Sequence, residues 1–258
     1  MSQLIECVPN FSEGRDLAII KQITDALESV AGVKLLDVDP GAATNRTVVT
    51  IAGEPNAVIE AAYRGIAKAK ELIDMRGHKG EHPRFGATDV CPLIPISGIT
   101  MEETVEYAKQ LAKRVGETLQ YPVYLYESAA QTPERKNLAT VRAGEYEGLA
   151  QKLQNPEWKP DFGPATFVPE TGAIAIGARD FLLAVNFNLN TTSTRRANSI
   201  AFDVREAGRL VKTTNTDGSV TETREPGTCK GTKAIGWFIQ EYGCLLYTSP
   251  SPRDRTRS

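Results

Sequence analysis

Between Leu4 and Ile94 the apolar residues switch repeatedly between strand-like and helix-like spacing, in the order βαββαβ. This alternation constrains the fold more than any other feature. Residues 4–8 form a short apolar run closed by Pro9, which reads as a first strand. Ser12 is placed to cap a helix beginning near Asp16, where Ile19, Ile20, Ile23, Ala26, Leu27 and Val30 recur at helical spacing and Gly32 marks the end. Residues 33–39 read as a strand closed by Pro40 and Gly41, and the β-branched run 46–52 as a third strand. Pro55 opens a second helix with Val58, Ile59, Ala62, Ile66, Ala69 and Ile73 on its buried stripe and Gly77 as its stop. Residues 88–94 supply the fourth strand, completing the ferredoxin-like split pattern.

Beyond Ile94, Thr100 and Glu103 form a capping box. The helix they open runs to Leu119, with Val105, Ala108, Leu111, Ala112 and Val115 on one side. Residues 123–126 read as a strand, 145–153 as a short helix, and 155–172, rich in Pro, Gly and aromatics, as an ordered linker. A second unit begins at residues 181–190, where Leu183, Val185, Phe187 and Leu189 alternate with Asn186, Asn188 and Asn190. That Asn face is either solvated or functional. Residues 190–194 offer caps for a helix carrying Ala197, Ile200, Ala201, Val204 and Ala207 and ended by Gly208. Residues 213–231 are polar and turn-rich, and 233–239 read as another strand. The expected fold class is α+β, as two ferredoxin-like α/β subdomains with mixed sheets, the second cut short. The boundaries expected are 1–178, 179–243 and 244–258. The last segment, with two prolines and three arginines against one aspartate, reads as a non-native tail.

Composition narrows the function. A formal net charge of −2 over 258 residues argues against nucleic acid as the main partner. The apolar runs are too short to span a bilayer, and no secretory signal is visible, so a membrane partner is not expected. Cys7, Cys91, Cys229 and Cys244 show no CxxC pairing and read as reduced thiols of a cytoplasmic protein.

The two histidines, His78 and His82, stand four residues apart in the segment RGHKGEHPRFG (76–86). His78, Glu81 and His82 spell H-x-x-E-H, the pattern of a zinc hydrolase. That chemistry needs a helix, which Gly77, Gly80 and Pro83 oppose, so no metal is assigned. A solvated connection between helix and strand is the plain alternative. The third reading is general acid–base catalysis by His82, held before a strand by Pro83 and flanked by cations. Asp37 and Asp39 share a strand face, and either could orient the ring, Asp39 being better placed at the strand end. Arg46, Lys79 and Arg84 could bind carboxylates.

CVPNFSEG (7–14), LDVD (36–39), TNRT (44–47), HKGEHPR (78–84), DVCP (89–92), YLY (124–126), RAGEY (142–146) and DFGP (161–164) together resemble the glutamate formiminotransferase family, whose domain also occurs in formiminotransferase-cyclodeaminase. The resemblance covers roughly residues 1–243. It implies transfer of a formimino group from N-formimino-L-glutamate to N5 of tetrahydrofolate, a co-substrate, in histidine breakdown. Some relatives act on 5-formyltetrahydrofolate instead. It implies two subdomains with folate in the cleft between them, a cytosolic homodimer, and no metal. It matches the catalytic histidine to His82 and a site aspartate to Asp39. It assigns folate contact to Gly163, Pro164, Ala165, Thr166, Phe167, Val168, Pro169, Glu170, Thr171 and Gly172. A folate-binding protein without turnover is the alternative from another class.

Overall fold

The computed structural model describes residues 2–215, 219–239 and 243–249. Those up to Asp180 form one unit and those from Phe181 onward a second. In the first, the elements run β1 (Leu4–Cys7), β2 (Asn10–Phe11), α1 (Leu17–Glu28), β3 (Val33–Gly41), β4 (Arg46–Gly53), α2 (Pro55–Leu72), β5 (Thr88–Ser97), α3 (Met101–Leu119), β6 (Val123–Glu127), α4 (Leu138–Val141), α5 (Glu145–Lys152) and β7 (Ile174–Ala178).

These strands form one mixed sheet in the order β3-β4-β1/β2-β5-β7-β6. β1 and β2 act as one strand interrupted at Val8 and Pro9, since each lies antiparallel between β4 and β5. β3 adds antiparallel to β4, whereas β7 and β6 extend the sheet in parallel from β5. On one face Ile5, Cys7, Val49, Ile51, Leu93, Leu125 and Ile176 pack against Ile23 and Leu27 of α1, Val58 and Ile66 of α2, and Leu111 and Val115 of α3. The other face of β5, β6 and β7 is covered separately, Tyr124, Tyr126, Val90 and Ala175 meeting Val141, Leu149, Leu153, Trp158 and Phe167. Burial on both sides explains why residues 123–126 of β6 form an unbroken apolar run. β4 instead alternates, with Thr47, Val49 and Ile51 buried and Arg46, Val48 and Thr50 half-buried on the opposite face.

Several expectations need correction. Ser12 does not cap α1. Its hydroxyl donates to the Gly86 carbonyl at 2.7 Å, and Asp16 is the cap, accepting from the amides of Ala18 and Ile19. The stretch 155–172 is no linker between units, because β7 follows it inside the first sheet. The box of Thr100 and Glu103 is present and opens α3 as expected.

The second unit holds β8 (Val185–Leu189), α6 (Thr194–Val204), β9 (Arg209–Thr214), β10 (Val220–Glu225), β11 (Lys233–Ile239) and β12 (Gly243–Ser249). β9 and β10 form an antiparallel hairpin within the stretch expected to be turns. β12 lies antiparallel between β11 and β8, so residues 244–249 are part of a sheet and not of a tail. Residues 250–258 of the expected tail lie outside the described residues. α6 packs on this sheet through Ala201, against Ala234.

Gly86 joins the histidine loop to β5 and bridges to Gly172. A Cβ there would lie 2.7 Å from the Thr171 carbonyl oxygen, with the Ala173 carbonyl closer still. Both neighbours are backbone, so Gly86→Ala is expected to cost about 1–3 kcal/mol. Urea denaturation would show this as a lower midpoint at unchanged slope, and an unchanged midpoint would count against the packing described.

Candidate active site

The helix α2 stops at Leu72, and the chain crosses to β5 through residues 73–87. This crossing is pinned from two sides. His78 is buried, and its Nε2 lies 2.8 Å from the Asn45 carbonyl oxygen. A carbonyl only accepts, so Nε2 carries the proton. Asn45 returns the contact, donating from Nδ2 to the Lys79 carbonyl at 3.0 Å, while its Oδ1 accepts from the Gly14 amide at 3.0 Å. Glu81 donates its amide to the Ala43 carbonyl at 3.1 Å. On the other side Arg84 donates from Nη1 to the carbonyls of His78 and Met75 and pairs with Glu147. Arg84, expected to bind substrate carboxylates, therefore spends its guanidinium holding the loop. The segment from His78 to His82 is irregular, so the helical face that an H-x-x-E-H metal site needs does not form.

His82 is half-buried, and its Nδ1 lies 2.6 Å from the Pro83 carbonyl oxygen. The same rule makes Nδ1 the donor and leaves the basic lone pair on Nε2. Burial, and then the Arg46 guanidinium, push the His82 pKa down to about 3, against the pull of the Asp89 carboxylate. Arg142 adds to the downward push.

Asp89 is the site residue that sequence reasoning missed. The ladder between β2 and β5 jumps from Asn10↔Val90 to Phe11↔Thr88, which leaves Asp89 as the extra residue of a bulge. Its side chain has no exposure, and its Oδ2 accepts from Nη1 of Arg46 and, at 2.6 Å, from Nη1 of Arg142. Arg46 also donates from Nε to Asn10 Oδ1 at 3.1 Å. Burial alone would raise the Asp89 carboxyl, but the two guanidiniums overcome it and hold it below the usual carboxylate range. The signal available in the sequence was an acid inside the apolar run 88–94.

Asp39 faces Val48 across β3 and β4, and Val48 in turn faces Asn10 of β2. Asp39, Arg46 and Asn10 therefore share one face of the sheet, with Asp39 and Asn10 about 10 Å apart across two strand spacings. Asp37 lies on that same face, two residues before Asp39 and opposite Thr50. Asp39 and Lys79 are both exposed. The segment Gly163–Gly172 begins against Gly116 of α3 and ends against the histidine loop. At that end the Glu170 carbonyl accepts from the Met75 amide at 2.9 Å and the Thr171 carbonyl from the Ala87 amide at 2.8 Å. Phe167 packs on Tyr146, with ring centroids 5.4 Å apart, while Ala165 and Thr166 are exposed.

Comparison with known proteins gives the family. Residues 4–179 match the family model of the formiminotransferase domain, N-terminal subdomain, and residues 184–246 match that of the formiminotransferase domain. The chain belongs to the formiminotransferase family. It is 50% identical over 242 residues to the formimidoyltransferase-cyclodeaminase of Dictyostelium discoideum, covering 94% of this chain and 43% of that protein. It is 44% identical over 224 residues to the glutamate formimidoyltransferase of Streptococcus pyogenes serotype M1, covering 87% and 75%. It is 50% identical over 204 residues to that of Thermoplasma acidophilum, covering 78% and 67%. The chain thus spans less than half the length of the bifunctional relatives it matches.

The pKa of His78 is lowered too, first by burial. Below pH 6.5 the unfolded chain takes up protons on both histidines that the folded chain does not, so stability falls as pH falls. For His82 the loss continues down to about 3. The urea midpoint is expected to drop between pH 7 and pH 5, and His82→Gln to flatten that dependence by about one proton. A midpoint equal at both values would contradict the burial assigned to these rings.

Proposed function

We propose that this chain transfers a formimino group from N-formimino-L-glutamate to N5 of tetrahydrofolate, with His82 as general acid and base. The observation that carries the reading is the ring of His82. Its Nδ1 is committed to the Pro83 carbonyl, so Nε2 is the basic atom, and its low pKa keeps the ring neutral near pH 7. Family membership and the names of the two glutamate formimidoyltransferases support the substrate class.

The chemistry balances with one imidazole. N5 attacks the amidine carbon, a C–N bond forms, and Nε2 takes the N5 proton. The bond from that carbon to the glutamate nitrogen then breaks as the same proton passes to the departing amine. The products are 5-formiminotetrahydrofolate and L-glutamate. Asp39 belongs to this reading as a site aspartate, on the sheet face that carries Arg46 and Asn10. Arg46 and exposed Lys79 serve the substrate carboxylates, and Gly163–Gly172 serves folate, with its last residues bonded to the histidine loop. The ferredoxin-like description of the first unit rests on its strand order β5-β1-β4-β3. A homodimeric assembly follows from the family resemblance alone.

His82→Ala is expected to lower the transfer rate by roughly a hundredfold or more. His78→Ala should cost less, since its ring holds the loop from outside the reaction. The acid limb of kcat/KM should lie below the ordinary histidine range, because that quantity reports the free enzyme. Steady-state transfer assays across pH 5 to 8 check all three. Wild-type rates in both variants would overturn the role of His82, and folate binding without any transfer would favour a binding protein.

A further inference from the structure

We infer that Asn45 is a positioning residue for His82: its side-chain amide and its left-handed backbone fasten the turn between β3 and β4 to the histidine loop, and so set where His82 stands against Asp39 and Arg46. The inference rests on the reading of His82 as general acid and base, and deepens it by adding a residue that acts through the loop.

The contacts converge on one turn. Residues 42–45 join β3, which carries Asp39, to β4, which Arg46 opens. The loop is bonded to that turn at His78, Lys79 and Glu81. His78 Nε2 donates to the Asn45 carbonyl at 2.8 Å, Asn45 Nδ2 donates to the Lys79 carbonyl at 3.0 Å, and the Glu81 amide donates to the Ala43 carbonyl at 3.1 Å. The last of these lies one residue before His82. Asn45 Oδ1 accepts from the Gly14 amide at 3.0 Å, so the same side chain also ties in the residues after β2. Gly80 shows how closely the two segments meet. A Cβ there would lie 2.7 Å from the Thr44 carbonyl carbon and 3.0 Å from the Asn45 Cβ, with the Thr44 carbonyl oxygen closer still.

Backbone and side chain together specify asparagine. The φ of Asn45 is 48°, in the left-handed region that Asn enters more readily than most residues with a Cβ. The residue is 7% exposed, so its amide needs protein partners. One partner only donates and the other only accepts, which fixes the orientation of the amide. Glycine would keep the backbone conformation and drop both bonds. Loosening this contact would let water reach the His82 ring. Arg46 of β4, Asp89 of β5 and Arg142 after α4 also act on that ring, and the substitutions below leave all three in place. A change in the titration of His82 therefore reports its burial.

The test uses two variants that open the contact from opposite sides. Asn45→Gly loses the amide and keeps the turn, whereas Gly80→Ala pushes the loop away and keeps the amide. Leu27→Ala, in the core beneath α1, is the control that lowers stability elsewhere. Proton NMR would follow the two imidazoles between about pH 4 and pH 8, with His82→Gln telling them apart. The His82 midpoint is expected to rise by about one pH unit or more, toward the ordinary histidine value, in Asn45→Gly and Gly80→Ala, and to stay where it is in Leu27→Ala. In transfer assays kcat should fall by about tenfold in both, with KM little changed and the acid limb of kcat/KM moving with the NMR midpoint. The double variant should lose less than the two single losses combined, because both open one contact. An unchanged His82 midpoint in Asn45→Gly and Gly80→Ala would overturn the inference. So would an equal rise in Leu27→Ala, which would mark a general loosening. A wild type that transfers nothing would overturn the proposed reaction instead, and the NMR arm would still decide whether Asn45 holds the ring.

Discussion

The structure turns on one buried carboxylate. Asp89 has no exposed side-chain surface, and an isolated charge in such a place is not tolerated. Removing a partner from a buried pair strands the other charge, at a cost of about 3–5 kcal/mol. Three elements are therefore tied to one another through it: Arg46 opens β4, Asp89 sits in the bulge of β5, and Arg142 caps α4. The neighbour of Arg142 is Val141, a fully buried member of the cluster that covers the second face of the sheet. Apolar cover and ionic anchor thus arrive on adjacent residues of one short helix. A helix of this length has little stability of its own, so these contacts are what hold it.

β1, β4 and the long helices α1, α2 and α3 are legible because each buries one side. A half-buried strand alternates, a half-buried helix repeats every three to four residues, and both periods show in the sequence. β7 escapes the same reading. It is five residues long, buried on both faces and interrupted by Gly177, so it shows no alternation of apolar and polar residues. The hairpin of β9 and β10 escapes for the opposite reason, since β10 is exposed along its whole length and carries no apolar face. At the site, the loop around His82 could be read locally, because Pro83 restricts the backbone and supplies the carbonyl. Asp89 could not, because a bulge is a property of two strands in register and not of either one alone. The same logic explains why Asp37 and Asp39 invited attention. Their shared face is visible in the alternation, but what lies opposite is decided by pairing.

The two histidines show how little sequence distance means for chemical role. Both rings have lowered pKa values, with burial the main cause in each. Their tautomers are opposite. His78 donates from Nε2 into the Asn45 carbonyl and its Nδ1 is buried without a partner, which makes it a fastening for the loop. His82 donates from Nδ1 into the carbonyl of the next residue, which turns Nε2 into the basic atom. Because Pro83 also steers the His82 backbone away from the helical region, backbone and ring are fixed by the same neighbour.

A catalytic imidazole is often paired with a carboxylate, and that pairing raises its pKa. Here the nearby carboxylate is already committed to two arginines. Its pull on His82 is outweighed by burial and by the guanidinium of Arg46. The balance favours a neutral ring. An Asp–His pair in its place would hold the ring closer to its charged form. Spending Asp89 on the arginines therefore does two things at once. It fixes both guanidiniums in place, and its pull on His82 stays weaker than burial and the Arg46 guanidinium together.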